Sequence, residues 1–424
     1  MANGLNSVLD RINSHGMTKD SLIMVGAGLA DGFFAYLYQL VMGIVLPLGA
    51  YGTLLSLTSL FVIFGVLTQT VTFVAAKSTS SLAAQGRLGA VNYLWRSLVK
   101  RTIIVGIVAF GIAAAVSPLA SGFLNIRSPL YFILTFSALI PLFAISANWG
   151  VMQGLQRFWQ LGLSQALWNF ARFALGVILI YAGFRLAGGL AALPLSCLLV
   201  FGLTFLLLHN LSQSGNEKVR VEGTNSYAWS TLLAVFTITM LTNFDVVLAK
   251  HYLSSKDAGS YSIISVFGRI AFYAPAGIGL ALFPKSAVAH DSGGNHRRLF
   301  LIAVWLTLAI VIVICLVYAL LSARVIGFPL TDKYSVAVPY LFKYGLGMSF
   351  LALSSLVMTY FLSLGQARVA YPLLTAMILQ VGLIGFWHSN IDALVNAMLI
   401  SAAVSLVLLL LLYWRMERRP QRHL

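Results

Sequence analysis

Seven of the polar or charged side chains inside apolar stretches of about twenty residues are candidates for chemistry, and an ionisable group costs about 2.5–3.5 kcal/mol to place in a bilayer. They are Asp31, Gln69, Asn169, Arg172, Asp245, Arg269 and Lys343. Groups this costly normally face a bundle interior or a wet cavity and find partners there. Two kinds of chemistry follow: the cations can bind phosphate or carboxylate oxygens, and the carboxylates can bind a cation or carry a proton.

The composition requires a membrane around these side chains. The 424 residues are 59% hydrophobic and only 9% charged, with a mean hydropathy of +0.90. A soluble domain carries about 25% charged residues, so a water-soluble protein is excluded. Because the apolar runs are continuous rather than alternating, they predict helices and not barrel strands. The sequence therefore predicts an all-α integral membrane protein.

Apolar windows predict twelve transmembrane helices. They lie near 20–45, 53–76, 102–122, 130–152, 159–182, 187–209, 228–250, 259–283, 299–321, 335–363, 366–387 and 391–414. An even number places both termini on one side, and most of the 27 Lys and Arg residues fall in segments on that side. The positive-inside rule then predicts cytoplasmic termini, and the net charge of +16 reflects topology, so no nucleic-acid partner is expected.

An internal repeat divides the chain. LPLGAYGTLLSL (46–57) aligns with LSSKDAGSYSII (253–264), which places Gly52 on Gly259 at an offset of about 207 residues. FVAAKST and ALFPKSA follow at nearly the same offset, and GLQRF has a counterpart in LGQAR. Three matches in one order predict two six-helix lobes inserted in the same orientation.

The resulting domain plan has five parts. It comprises an interfacial helix over 1–19, an N-lobe over 20–209, a cytoplasmic linker over 210–227, a C-lobe over 228–414 and a basic tail over 415–424. The segment 88–101 places Val91, Leu94, Trp95 and Leu98 on one helical face, and we expect it to lie along the lipid surface.

Two arginines are the leading binding candidates. Arg172 shares a polar stripe with Asn169 on the fifth helix, and Arg269 lies just before APAGIG, where Pro275 should bend the eighth helix. A cation beside a hinge suits a moving anion-binding site. The alternative is that each Arg satisfies backbone carbonyls or an acidic neighbour inside its own lobe.

The remaining candidates have structural alternatives of their own. Asp31 is either a proton or cation carrier or a buried partner for an Arg. Asp245 and Lys343 lie nearer the outer membrane face, where snorkelling or pairing with Lys250 or Lys256 could satisfy them. Gln69 is a weaker substrate-binding candidate.

The sequence does not predict an enzyme. It contains no HExxH, no Walker loop and no nucleophile elbow, and Cys197 and Cys315 stand apart from any ligand spacing. No metal and no cofactor are expected. A membrane polymerase or ligase would need a large external loop bearing catalytic groups, and none is predicted.

Four stretches carry a family resemblance. They are LPLGAYGTLLSL (46–57), TNFDVVLAKHYLSSKDAGSYSIISVFGRI (242–270) followed by FPKSA, VIGFPLTDKYSVAVPYL (325–341) and YFLSLGQARVAYP (360–372). They resemble a polysaccharide or oligosaccharide flippase of the multidrug/oligosaccharidyl-lipid/polysaccharide exporter superfamily. The resemblance implies two lobes forming a V, alternating access, a place in the cytoplasmic (inner) membrane, and cavity cations that hold the pyrophosphate of a polyprenyl-linked sugar.

Two functions remain open at this point. In a flippase, Arg269, Arg172, Lys343, Gln69 and Asn169 would bind the pyrophosphate and sugar, and Asp31 and Asp245 would couple or gate. The expected partners are lipid-linked oligosaccharide, membrane lipids and glycan assembly proteins, and a functional monomer is expected. The alternative is a proton- or sodium-coupled multidrug cation exporter of the same superfamily. In that case Asp31 would carry the proton. The two arginines argue against this alternative, because they would repel cationic drugs.

Overall fold

A computed structural model describes residues 24, 26–215, 217–218, 226–291, 295–330 and 332–417. These residues form helices joined by short turns, with no strand among them, so the predicted all-α fold is confirmed. The interfacial helix predicted over 1–19, residues 216 and 219–225 of the linker, and the tail beyond residue 417 lie outside the described residues.

The helices follow one another with few intervening residues. The α-helices are α1 Gly26–Val45, α2 Leu48–Ala84, α3 Leu88–Phe123, α4 Pro129–Phe136, α5 Leu139–Gly154, α6 Phe158–Leu179, α7 Arg185–Leu208, α8 Ser226–Tyr252, α9 Ser255–Gly268, α10 Ile270–Tyr273, α11 Ala276–Asp291, α12 His296–Leu330, α13 Leu341–Ser363, α14 Ala370–Phe386 and α15 Ile391–Glu417. A π-helical turn (Ile180–Phe184) and 3₁₀ segments at His209–Ser214, Asp332–Tyr340 and Ala367–Val369 join them.

The protein is a multi-pass membrane protein. Among the described residues, 10 helical segments are long and apolar enough to cross a bilayer. One of them, Phe158–Leu211, has 54 residues and would measure roughly 80 Å if straight, far more than one bilayer crossing. It is broken at Gly183, where φ is 94°, into α6 and α7, which pack against each other. With the shorter apolar helix α14, helix occupies each of the twelve predicted spans.

The eighth predicted span is interrupted where the sequence predicts a bend. α9 ends at Gly268, the short helix α10 follows Arg269, and α11 begins only at Ala276, directly after Pro275. Proline lacks a backbone N–H and cannot continue the preceding helical hydrogen-bond pattern. Arg269 therefore lies at a junction between helical segments.

The described chain forms two compact units. Unit 1 contains Met1–Val41, Thr68–Pro118 and Ser128–Gly223, and unit 2 contains Met42–Leu67, Leu119–Arg127 and Thr224–Leu424. Residues 42–67 and 119–127, which the sequence assigns to the N-lobe, thus cluster with the C-terminal half of the chain. The division into lobes over 20–209 and 228–414 stays a prediction.

The two glycines equated by the repeat meet inside unit 2, where the start of α2 packs on the start of α9. A Cβ at Gly52 would lie 3.0 Å from the backbone nitrogen of Gly259, and a Cβ at Gly259 would lie 2.2 Å from the carbonyl oxygen of Leu48. Only glycine permits this approach. Equivalent residues contact each other when they lie on a twofold axis, so the contact supports the repeat.

The repeated hairpins also share one backbone geometry. After α5, the amide of Arg157 donates to the carbonyl of Met152 at 2.9 Å, and after α13 the amide of Gln366 donates to the carbonyl of Phe361 at 2.9 Å. The residues just before these amides, Gln156 and Gly365, both have positive φ, as in a Schellman helix end. The matching geometry is a second structural sign of the repeat.

The amphipathic segment 88–101 is placed differently from the expectation. It is the first part of the 36-residue helix α3. Its apolar face, which includes Val91, Leu94 and Trp95, is buried in the core of unit 1. The prediction that this apolar face rests on lipid is wrong, because protein side chains cover it.

Candidate functional site

A buried carboxylate organises unit 2. Asp245 on α8 is fully buried, and its Oδ2 accepts hydrogen bonds from the hydroxyls of Tyr261 at 2.9 Å and Tyr344 at 2.7 Å. Hydroxyl bonds to an ionised carboxylate are charge-assisted and strong. Two such bonds from α9 and α13 fix the carboxylate in place.

Arg269 faces the other oxygen of this carboxylate. Its side chain is 11% exposed, and its Nη2 lies 3.7 Å from Asp245 Oδ1, an ion-pair distance longer than a hydrogen bond of about 2.7–3.2 Å. Among the described residues, Arg269 Nε and Nη2 are buried without a hydrogen-bond partner, as is Asp245 Oδ1. These two nitrogens form one edge of the guanidinium, the fork that can bind two oxygens at once.

A glycine allows this arrangement, which we call the Arg269 cluster (Asp245, Tyr261, Arg269 and Tyr344). A Cβ at Gly268 would lie 2.2 Å from Cδ1 of Tyr344, so only a residue without a side chain lets that ring reach the carboxylate. The rings of Tyr261 and Tyr344 meet edge to face with centroids 5.8 Å apart. The cluster is therefore built by close packing as well as by charge.

Unit 1 contains a second set, the Arg172 cluster (Asp31, Tyr38, Asn169 and Arg172). Asn169 on α6 donates from Nδ2 to Oδ1 of Asp31 on α1 at 2.6 Å. Arg172 lies with Cζ 4.3 Å above the ring of Tyr38, in a cation–π contact. The Tyr38 hydroxyl donates to the carbonyl of Gly189 at 2.8 Å, which fixes the ring.

Arg172 leaves the same edge unbonded. Among the described residues, its Nε and Nη2 are buried without a hydrogen-bond partner, and Asp31 attracts it electrostatically. The predicted stripe therefore exists, since Asn169 and Arg172 both face α1. Each unit thus contains a buried guanidinium with an unfilled hydrogen-bonding edge.

The fold is shared with solved membrane transporters. It superposes on an inward-facing multidrug resistance MATE family transporter of the MOP superfamily with a TM-score of 0.77 at 11% identity, over 94% of this chain and 98% of that one. A eukaryotic MATE transporter matches with a TM-score of 0.67 at 16% identity, over 94% and 95%. The chain has a MATE-like transporter fold.

A third match is to a transporter whose binding pocket has reverse polarity. A MOP superfamily transporter from Pyrococcus furiosus, described as having a binding pocket of reverse polarity that suggests a different function, matches with a TM-score of 0.66 at 14% identity, over 94% and 95%. No family model and no curated protein matches the sequence. These matches show a shared fold, so membership of the exporter superfamily that the sequence resembles, and the flippase type within it, stay predictions.

The other predicted residues, Lys343 and Gln69, belong to neither cluster. Lys343 Nζ bonds Asp392 Oδ1 at 2.7 Å, and both side chains are nearly half exposed. Gln69 is exposed on α2. The suggestion that Lys250 or Lys256 pairs with Asp245 or Lys343 is wrong, because the partners of Asp245 are Arg269 and two tyrosines, and the partner of Lys343 is Asp392.

Sequence reasoning missed the tyrosines of the two clusters. Tyr38, Tyr261 and Tyr344 lie on different helices from the charges they contact, so helical spacing could not associate them. Gly268, directly before Arg269, was the available signal for close packing. Among the described residues, no group of three or more His, Cys, Asp or Glu could hold a metal ion.

Proposed function

We propose that the chain is an alternating-access transporter that moves a polyprenyl-pyrophosphate-linked oligosaccharide to the outer leaflet for cell-surface polysaccharide synthesis. One observation carries the proposal: the Nε and Nη2 edge of Arg269 is buried and unbonded, 3.7 Å from its counter-ion. An unfilled guanidinium fork in a membrane protein is suited to a phosphate-bearing cargo.

The position of Asp245 supports anion binding by Arg269 rather than a closed ion pair between the two side chains. Because Oδ2 of Asp245 is held by two tyrosines, the carboxylate cannot rotate freely toward Arg269 to close the gap. A phosphate oxygen could therefore take the arginine donors without displacing Asp245. In this reading Asp245 orients Arg269, and the Arg172 cluster offers a second guanidinium of the same kind.

Transport requires the cargo's charge to cross hydrocarbon. Fixed arginine donors replace water for the pyrophosphate, and an exchange between inward and outward conformations carries it across. Asp31 is the better candidate for ion coupling, since it is only half buried and accepts one protein hydrogen bond, from Asn169. The inner-membrane location, the cytoplasmic termini and the glycan-assembly partners belong to the same proposal.

The test is transport in proteoliposomes containing a polyprenyl-pyrophosphate-linked oligosaccharide. Arg269→Gln alone leaves Asp245 uncompensated, so the decisive variant is Arg269→Gln with Asp245→Asn, which removes both charges. We expect it to remain folded and to lose transport by at least about tenfold, the equivalent of one charge-assisted bond. Arg298→Gln, at an exposed basic residue, is the matched control. A folded double variant with full transport contradicts the proposal.

A second candidate is a cation exporter, because two of the matched structures are MATE transporters, one of them a multidrug resistance protein. Asp31 supports it as a half-buried carboxylate beside Asn169. The same liposomes loaded with a cationic dye separate the two candidates. Dye export lost in Asp31→Asn and kept in the Arg269→Gln, Asp245→Asn variant would favour the exporter.

A further inference from the structure

A groove lies between α3 and α7 in unit 1, and none of its lining residues belongs to either cluster. Its volume is about 340 Å³, within the range of about 300–1,000 Å³ typical of ligand sites. Its apolar lining consists of Trp95, Val99, Ile103, Ile104 and Phe205. Arg96 and Lys100 also line it, and none of the lining residues is acidic. The groove therefore combines an apolar channel with two uncompensated cations.

Hydropathy predicts that these residues lie at the bilayer boundary. α3 has 36 residues, roughly 54 Å, so it extends beyond a hydrocarbon layer of about 30 Å. If hydrocarbon begins near Thr102, as hydropathy predicts, Lys100 and Arg96 lie roughly 3 and 9 Å outside it. That interval is the headgroup region. Ile103 and Ile104 lie at the level of the acyl chains.

The buried floor of the groove is fixed, and its rim is open to lipid. Trp95 is buried, its Nε1 donates to Oδ1 of Asn148 at 2.8 Å, and its ring lies 5.2 Å from that of Phe205. Phe205 and Ile104 are 40% and 52% exposed, so the groove faces the bilayer. An acyl chain could enter without any rearrangement of the wall.

The cations are arranged for one anion. Arg96 and Lys100 are exposed and one helical turn apart on α3. Arg96 Nε donates to Oδ1 of Asn92 at 3.2 Å, and Asn92 is buried and donates to the carbonyl of Gly215 at 2.6 Å. This chain of bonds orients the guanidinium and leaves its terminal nitrogens available.

We propose that this groove binds an anionic phospholipid. One acyl chain lies along Ile104 and Phe205, above the buried ring of Trp95, and the phosphate contacts Arg96 and Lys100. Basic groups beside apolar grooves at headgroup depth recognise anionic lipids in this way. The site is separate from the transport proposal and holds whether or not the chain carries lipid-linked sugar.

The experiment compares phosphatidylglycerol with phosphatidylcholine by native mass spectrometry of the full chain in detergent. Wild type should retain phosphatidylglycerol selectively. In Arg96→Gln with Lys100→Gln, the preference should fall by about fivefold per cation and about 25-fold in total. The matched control Lys285→Gln with Arg298→Gln, which removes two exposed cations elsewhere, should keep the preference.

A second variant tests the groove itself. Ile104→Trp fills the lipid-facing side while retaining both cations, and Ile104 is exposed enough to accept the larger ring without disturbing the core. We expect bound phosphatidylglycerol to fall several-fold in this variant. Unchanged binding in Ile104→Trp, or equal losses in the control pair and in the groove pair, would overturn the proposal in favour of general surface attraction.

Discussion

The Arg269 and Arg172 clusters each hold an arginine inside the protein, but with different partners. Both arginines are held inside a membrane protein with Nε and Nη2 unbonded. In unit 2 a carboxylate faces the guanidinium at 3.7 Å, and two tyrosine hydroxyls lock that carboxylate. In unit 1 the guanidinium lies on the ring of Tyr38, and the nearby acid, Asp31, is bonded to an amide instead.

The difference concerns how charge is balanced. The Arg269 cluster is a buried pair whose two charges depend on each other, because neither has water as an alternative. The Arg172 cluster combines a cation–π contact with a half-buried carboxylate that keeps access to other partners. Matched substitutions in the two clusters should therefore have unequal consequences.

The largest expected difference is between the two acids. Asp245→Asn leaves Arg269 as an uncompensated buried charge, and removing one partner of such a pair costs about 3–5 kcal/mol. Asp31→Asn keeps an acceptor for Asn169 at a half-buried position, so we expect about 1 kcal/mol or less. Thermal unfolding of both variants in the same detergent measures the difference.

The paired variant provides the control for this comparison. Asp245→Asn combined with Arg269→Gln removes both charges, and it should recover most of the stability lost by Asp245→Asn alone. Equal destabilisation by Asp245→Asn and Asp31→Asn would mean that the Arg269 pair is not the more strongly coupled one.

The tyrosines give a smaller effect of the same kind. Tyr344→Phe removes a 2.7 Å hydrogen bond to a buried carboxylate, worth about 1.5–3 kcal/mol. Tyr38→Phe removes a neutral bond to the Gly189 carbonyl, worth about 0.5–1.5 kcal/mol, and keeps the ring beneath Arg172. Denaturation of the two single variants should rank them in that order, and the reverse order would show that the carboxylate does not need both hydroxyls.

The sequence could predict the elements of these clusters but not their pairings. Hydropathy and length identify the spans because a bilayer forces each one into a continuous apolar helix. The break between α10 and α11, shortly after Arg269, was predictable from Pro275, since proline interrupts the helical hydrogen bonds of the turn before it. Asp245 and Tyr344, by contrast, are 99 residues apart, so their bond depends on how α8 and α13 pack. Amphipathicity alone likewise could not distinguish lipid from protein as the cover for Trp95 on α3.

The smallest expected effect comes from an exposed ion pair. Arg87 in the turn before α3 bonds Glu217, and the amide of Glu217 donates to the carbonyl of Gly89 at 3.2 Å. The hydrogen bond from Arg87 lowers the pKa of the Glu217 carboxyl below its ordinary value near 4.5. A lowered pKa means that the contribution is complete above the ordinary value and is lost as the pH falls through the lowered one.

The prediction is therefore a local effect confined to acid pH. Hydrogen exchange at the Glu217 amide, compared with Glu217→Gln at each pH, should show protection in wild type at pH 7 that declines below about pH 4.5 and also declines with added salt. The variant should lack both dependences, and global unfolding should barely change. Equal protection in wild type and variant at pH 7 would mean that the ion pair does not hold this segment. Protection that does not change with added salt would mean that the Arg87–Glu217 pair is screened as little as the buried pairs, despite its exposure.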